Sequence, residues 1–125
     1  MGEKRDALSR KERRRYPRFK VREGTFAFLE SIPCTIEDIS EAGMAVQFVV
    51  LDKKHLFPLF IDLLSYEQET YLQQIPVGKV DESVLFPPLF SVLQTKKVRV
   101  AFDTLNHEQQ SGLRRFIARS SIGRV

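Results

Sequence analysis

The pattern of apolar and polar positions predicts strands through most of this chain. It is clearest in KVRVAF at 97–102, where Val98, Val100 and Phe102 lie on one face of a strand and Arg99 and Ala101 lie on the other. Other runs rich in aromatic and β-branched residues are bounded by glycine, proline or a polar turn. These runs are FKV, TFAFLE, CTIEDIS, MAVQFVV, PLFIDLLSY and TYLQQIPVGKV.

The end of the chain has the spacing of a helix. Asn106 is a suitable N-cap residue, and Gln109 follows it three positions later, as in a capping box. The apolar residues then recur at helical spacing, and the basic residues face the other way. The apolar residues are Leu113, Phe116 and Ile117, and the basic ones are Arg114, Arg115 and Arg119. About six short strands followed by one amphipathic helix predict a small closed antiparallel β-barrel with the helix packed over it.

The segment VDESVLFPPLFSVLQT at 80–95 predicts no strand of its own. The pair Pro87-Pro88 cannot lie inside a central strand, so we expect an apolar loop over 84–93. Its apolar residues either fold back on the core or form a contact surface, and folding back is the preferred interpretation because large exposed apolar patches are uncommon. They include Phe86, Leu89 and Phe90.

Composition adds one feature to this picture, which is a concentration of positive charge near the N-terminus. The chain has 125 residues and a net charge of +4. Residues 1–22 hold ten Lys/Arg and three acids, a net +7, so the remaining residues sum to −3. We therefore expect a flexible N-terminal arm over 1–9, a single domain over 10–125, and an anionic partner that meets the basic segment.

Pro17 affects how the arginines at the start of the domain are arranged. A residue before proline is disfavoured in helical geometry, so the chain at Tyr16 should be extended. In an extended chain Arg14, Tyr16 and Arg18 share one side, and the two arginines are about 13 Å apart.

Two motifs carry the functional hypothesis. The first consists of Arg13, Arg14 and Arg18, in which the last two are four positions apart. The second is D-x-S-x-x-G, formed by Asp38, Ser40 and Gly43. Both motifs, in this order and about twenty residues apart, resemble the PilZ domain, and the resemblance extends over about residues 10–120. That family binds the bacterial second messenger cyclic di-GMP on a six-stranded β-barrel with a C-terminal helix.

The chemistry of the motifs suits such a ligand, which carries two phosphates and two guanines. An arginine fork can donate two hydrogen bonds to the O6 and N7 atoms of guanine or to a phosphate, and it can stack on a purine. A carboxylate such as Asp38 can accept from the N1–H and N2–H₂ edge of guanine. Ser40 lies on the same side of an alternating strand as Asp38, and Gly43 allows a tight turn and a close approach of the backbone to the ligand.

The resemblance implies how these parts work together. The arginine arm wraps over the ligand, the strands of the D-x-S-x-x-G motif form the floor, and the reordered arm presents a new surface to a downstream protein. In the family, an arginine directly before RxxxR accompanies the binding of two stacked ligands, so Arg13 indicates two cyclic di-GMP molecules per domain. No fused output domain is evident, so we expect a downstream protein or a change of oligomeric state to carry the effect. The output can be motility, biofilm formation or virulence, and we expect a monomer or weak dimer.

Other interpretations stay open at this point. The basic run can be a nucleic-acid-binding arm, and the three residues of the second motif can form an ordinary β-turn. The main alternative is a PilZ-like module that contacts other proteins, as in pilus assembly, and binds no ligand. We weigh nucleic acid lowest because only Tyr16 and Phe19 supply aromatic side chains near the basic run.

Catalysis is not expected from this sequence. His55 and His107 have no evident partners, and Cys34 lies in a predicted strand as a small buried side chain. There is no zinc-ligand spacing and no glycine-rich phosphate loop, so we expect no cofactor apart from the ligand. The absence of a signal peptide or long apolar run predicts a cytoplasmic protein that does not insert into membranes.

Overall fold

A computed structural model describes residues 15–50, 60–86 and 94–125 of the chain, with only the backbone of Val50, of residues 83–86 and of Gln94. Within these ranges it contains eight strands and one helix. In chain order they are β1 (Phe19–Val21), β2 (Thr25–Leu29), β3 (Ile32–Ile39), β4 (Gly43–Val50), β5 (Phe60–Ser65), β6 (Thr70–Phe86), β7 (Gln94–Phe102), α1 (His107–Ser120) and β8 (Ser121–Arg124).

Six of the strands close into an antiparallel barrel. Their order is β2-β5-β6-β7-β4-β3, and β3 pairs back with β2 to complete the ring. The two short strands β1 and β8 extend the sheet beyond β3, and β1 pairs with both β3 and β8. The predicted six-stranded barrel with a C-terminal helix is therefore confirmed. Strand β8, which follows the helix, was not predicted, and it is short and exposed over most of its length.

The barrel interior contains the residues that the alternation assigned to it. Val98 and Val100 of β7 are buried, as are Met44 and Val46 opposite them on β4. Phe116 of α1 is fully buried in the same core. The helix thus covers the barrel with the face predicted from its spacing, while Arg114, Arg115 and Arg119 are exposed.

The helix begins with the predicted capping box. The Asn106 side chain accepts a hydrogen bond from the Gln109 backbone N–H at 2.7 Å, and the Gln109 side chain accepts one from the Asn106 N–H at 2.9 Å. Two of the backbone donors that a helix N-terminus leaves unpaired are satisfied in this way.

The loop expected over 84–93 is wrong at its start. Strand β6 continues to Phe86 and β7 begins at Gln94, so residues 80–86 belong to a long antiparallel pair with β7. The expectation rested on Pro87-Pro88, but pairing with β7 extends the strand to Phe86, the residue directly before them. Residues 87–93, with Pro87-Pro88, Leu89 and Phe90, and the side chain of Phe86 lie outside the described residues.

Candidate ligand-binding site

The pairing of β1 with β3 brings the end of the arginine motif to the second motif. Phe19 is opposite Ile39 in this antiparallel pair, and both side chains pack in or against the core. The next residues along the two strands, Arg18 and Ser40, are therefore neighbours on the outer face. Arg18 is half-buried, and its carbonyl oxygen accepts a 2.9 Å hydrogen bond from the backbone N–H of Val125. Arg13 and Arg14 lie outside the described residues.

A β-bulge turns Asp38 away from the core. Ile36 is opposite Val46, but Asp38 is opposite Ala45, so Glu37 is the extra residue on β3. In a regular strand Asp38 would share the inward face of Ile36, whereas the bulge reverses the alternation at this point. Asp38 and Ser40 consequently lie on the same outer face, as the sequence analysis predicted for this pair.

One carboxylate oxygen of Asp38 accepts a hydrogen bond from an arginine, and the other has no donor among the described residues. Its side chain is 9% exposed, and its Oδ2 atom accepts a 3.3 Å hydrogen bond from Nη2 of Arg99 on β7. Its Oδ1 atom is buried and has no hydrogen-bond donor within the described part of the chain. A buried carboxylate oxygen without a donor is costly, so this atom marks a place where a ligand that donates hydrogen bonds would be stabilised.

Sequence reasoning did not assign Arg99 to the site. Alternation placed it correctly on the outer face of its strand, but it lies 61 residues from Asp38. The two side chains meet because β4 separates β3 from β7 and carries the small Ala45 in register with both. No local sequence signal indicates this contact, because the sequence of a single strand does not determine which strands are its neighbours in the barrel.

Ser40 and Gly43 have structural tasks in the turn between β3 and β4. The Ser40 hydroxyl accepts hydrogen bonds from the backbone N–H groups of Ala42 (3.1 Å) and Gly43 (3.3 Å). A Cβ at Gly43 would overlap the carbonyl oxygen of Val100 on β7. We expected Gly43 to allow a tight turn and a close approach to the ligand. The close approach found here is to the neighbouring strand, and Gly43 is not among the residues with a positive φ angle.

The same turn is tied to the helix. Glu41 accepts a hydrogen bond from Nε of Arg114, and this bond raises the pKa of the Arg114 guanidinium. Tyr16 and Glu41 line one cleft of about 240 Å³ together with residues of α1. The segment that precedes β1 therefore reaches the turn of the second motif.

Of the residues considered for catalysis, the structure describes Cys34 and His107. Cys34 is buried, and burial raises the pKa of its thiol to about 11. His107 is exposed at the start of α1, and His55 lies outside the described residues. Across the described ranges no three His, Cys, Asp or Glu side chains cluster as metal ligands would. None of the described helices is long and apolar enough to cross a membrane.

Solved structures with a similar fold include the PilZ domain of YcgR and the protein MrkH. The PilZ domain of YcgR from Escherichia coli, solved with c-di-GMP, aligns with a TM-score of 0.60 at 15% identity, over 86% of this chain and 90% of that one. The K. pneumonia MrkH–c-di-GMP complex aligns with a TM-score of 0.57 at 18% identity, over 84% of this chain and 51% of MrkH. YcgR from E. coli in complex with c-di-GMP aligns at 0.55 and 18% identity, over 86% of this chain and 45% of that one.

These similarities establish the fold, which is that of a PilZ domain. The chain spans about half the length of MrkH and of the longer YcgR structure. The sequence matches no family model and no curated protein.

Proposed function

We propose that the protein is a non-catalytic receptor for cyclic di-GMP in the bacterial cytoplasm. The observation that carries this proposal is the Oδ1 atom of Asp38, a buried carboxylate oxygen with no donor in the described part of the chain. The donor edge of guanine has N1–H and N2–H₂ groups, from which this oxygen can accept hydrogen bonds. Adenine presents an acceptor at N1, so the same carboxylate disfavours adenine.

The surroundings of Asp38 support an anionic ligand. The Arg99 guanidinium lies 3.3 Å from Asp38, and the register of β1 with β3 brings the backbone of Arg18 next to Ser40. Arg13 and Arg14 precede Arg18 along the chain, and the fork of an arginine suits phosphates and the acceptor edge of guanine. The cyclic dinucleotide carries both kinds of group twice. PilZ proteins of the same fold have been solved with c-di-GMP bound.

Ser40 and Gly43 contribute to the floor of the site through the turn that they form. Their hydrogen bonds and packing fix the backbone that follows Asp38. In this proposal the ligand lies on that turn and contacts the surface formed by Ser40 and Gly43. The arginine segment closes over the ligand.

The proposal extends to the arginine segment and to stoichiometry. Ligand binding orders the segment that contains Arg13 and Arg14, and the surface that results meets a downstream protein. Arg13 supports the binding of two stacked cyclic di-GMP molecules. Trypsin tests the ordering, because cleavage after the lysine and arginines within 10–15 should slow when saturating cyclic di-GMP is added and should be unaffected by GTP.

A second function is favoured by one observation. Ser40 holds the turn through its hydrogen bonds, and Gly43 lets β4 pack closely on β7. These structural roles account for a serine and a glycine at the two positions even if no ligand binds. A PilZ-like module that only contacts other proteins would keep them for that reason. Such a module has no need for an unpaired buried carboxylate oxygen, so ligand binding is the preferred function.

Titration calorimetry with cyclic di-GMP, cyclic di-AMP and a short single-stranded DNA separates these functions. We expect micromolar or tighter binding of cyclic di-GMP alone, with close to two ligands per chain. Arg14→Ala and Asp38→Asn should each weaken it at least about fivefold, as expected for the loss of a bidentate contact of about 1–3 kcal/mol.

Asp62→Asn is the matched control, because Asp62 is an outward acid on β5 that already accepts from the backbone N–H of Gln74 and from the Tyr71 hydroxyl. Absence of heat with cyclic di-GMP would favour the protein-contact module. Binding of the DNA with a steep salt dependence would instead indicate a nucleic-acid arm.

A further inference from the structure

We infer that Arg99 is a positioning and charge-balancing residue for the guanine-reading carboxylate of Asp38, an inference that rests on the proposed function. Neither sequence motif contains Arg99. Its place is set by the barrel, which brings β7 within reach of β3 across one intervening strand.

The geometry singles out Asp38 as the partner of Arg99. Two acids stand in register with this arginine on the outer face, Asp81 directly opposite on β6 and Asp38 one strand further away beyond Ala45. The guanidinium reaches over Ala45 to the more distant acid and makes a 3.3 Å contact with its Oδ2 atom. Ala45 is fully buried beneath this arrangement, and a larger side chain there would block the path.

The contact leaves both side chains able to engage a ligand. Arg99 uses one Nη atom for Asp38, and its side chain is 36% exposed while that of Asp38 is 9% exposed. A guanidinium has five N–H donors and a carboxylate has about four acceptor positions. Oδ2 can therefore stay bound to Arg99 while Oδ1 accepts from the ligand. Arg99 fixes the rotamer of Asp38, so the free oxygen keeps one direction.

Electrostatics gives Arg99 a second role. Cyclic di-GMP carries two negative charges, and an uncompensated carboxylate in its site would repel it. Opposite charges about 3 Å apart interact strongly where water is partly excluded. The Arg99 guanidinium cancels the charge of Asp38 and leaves its hydrogen-bonding capacity intact. The Asp38 carboxylate can thus select guanine without repelling the anionic ligand.

A double-mutant cycle tests this inference on the full chain, with affinities for cyclic di-GMP and cyclic di-AMP measured by calorimetry. We expect Arg99→Gln to weaken cyclic di-GMP binding at least tenfold and to reduce its preference over cyclic di-AMP. In the Asp38→Asn background the same substitution should weaken binding by a several-fold smaller factor, because only the attraction between the guanidinium and the anionic ligand is then lost. Lys97→Gln is the control, since Lys97 is a cation on the same strand and face that pairs with Glu37 at 2.8 Å. It should cost less than threefold.

The outcomes are distinct. Absence of binding by the unaltered protein would overturn the proposed function and this inference with it. Binding by the unaltered protein, with an Arg99→Gln effect no larger than that of Lys97→Gln or equal in both Asp38 backgrounds, would overturn this inference alone. Far-ultraviolet circular dichroism checks folding. If Arg99→Gln fails to fold, Arg99→Lys decides: a several-fold loss of affinity with reduced guanine preference supports the inference, and unchanged affinity overturns it.

Discussion

Gly43 on β4 lies against the backbone carbonyl of Val100 on β7, so closely that a Cβ atom at position 43 would overlap that oxygen. The same Cβ atom would also be only 3.2 Å from the Cα atom of Ala101. Two adjacent strands thus meet at a point where no side chain fits. This contact sits immediately after the turn that carries Ser40, so packing between strands and the shape of the candidate site depend on the same glycine.

Gly43→Ala should lower the free energy of unfolding by about 1–3 kcal/mol, the usual cost of forcing an extra methyl into a packed position. Urea denaturation followed by circular dichroism measures the change. Gly123→Ala is the control, since no atom lies within 4 Å of a Cβ built there. Equal stability of the two variants would show that β4 and β7 can separate at no cost.

Ser40→Ala should destabilise the fold even without ligand. The substitution removes the acceptor for the backbone N–H groups of Ala42 and Gly43. Leaving partly buried donors unpaired costs about 1–3 kcal/mol. Ser111→Ala on α1 provides the comparison, because alanine is the better helix former and the change should be neutral or slightly stabilising. If Ser40→Ala is as stable as the parent, the hydroxyl is kept for another reason.

Asn106→Ala should cost about 1 kcal/mol of unfolding free energy through loss of the capping box at α1. The Asn106 side chain accepts from Gln109 at 2.7 Å, and alanine offers no acceptor. His107→Ala, at the exposed first residue of the helix, should change stability much less. Thermal denaturation of the two variants compares them, and equal midpoints would contradict a stabilising cap.

Cys34 should be a slow thiol in the folded protein. Burial raises its pKa from the ordinary 9.0 to about 11. At pH 8 this lowers the thiolate fraction about 100-fold, and the thiolate is the reactive form. Labelling with a thiol-specific disulfide reagent at pH 8 should therefore be at least 100-fold slower than in denaturant. A rate near that of the unfolded chain would contradict the burial of this side chain.

The same shift links stability to alkaline pH. Between pH 9 and 11 the unfolded chain loses the Cys34 proton while the folded protein retains it, so the stability contributed by this group is present below pH 9 and is lost as the pH rises towards 11. The difference in unfolding free energy between the parent and Cys34→Ala should consequently shrink over this range. A constant difference would mean that the thiol titrates alike in both states.

Sequence alone determined the elements that depend on local chemistry. Alternation in KVRVAF predicted β7 with Val98 and Val100 inside, and Asn106 with Gln109 predicted the start of the helix. These features depend on residues that are close in sequence. A strand places alternate residues on one face, and the capping box joins two residues that are three positions apart. The order of about six strands and one helix was sufficient to predict the barrel. Strand boundaries failed around residue 84, where pairing with a distant strand overrides weak local signals.

Only the tertiary structure decided how the candidate site is arranged. The bulge at Glu37 moves Asp38 from the inward to the outward face, and a bulge is defined by the register of two strands. Closure of the barrel then places Arg99 within 3.3 Å of an acid 61 residues away. The reason that glycine is needed at position 43 also comes from β7 and not from its own turn. Each of these relationships joins residues that are remote in sequence, because strand order and register arise from the packing of the whole barrel.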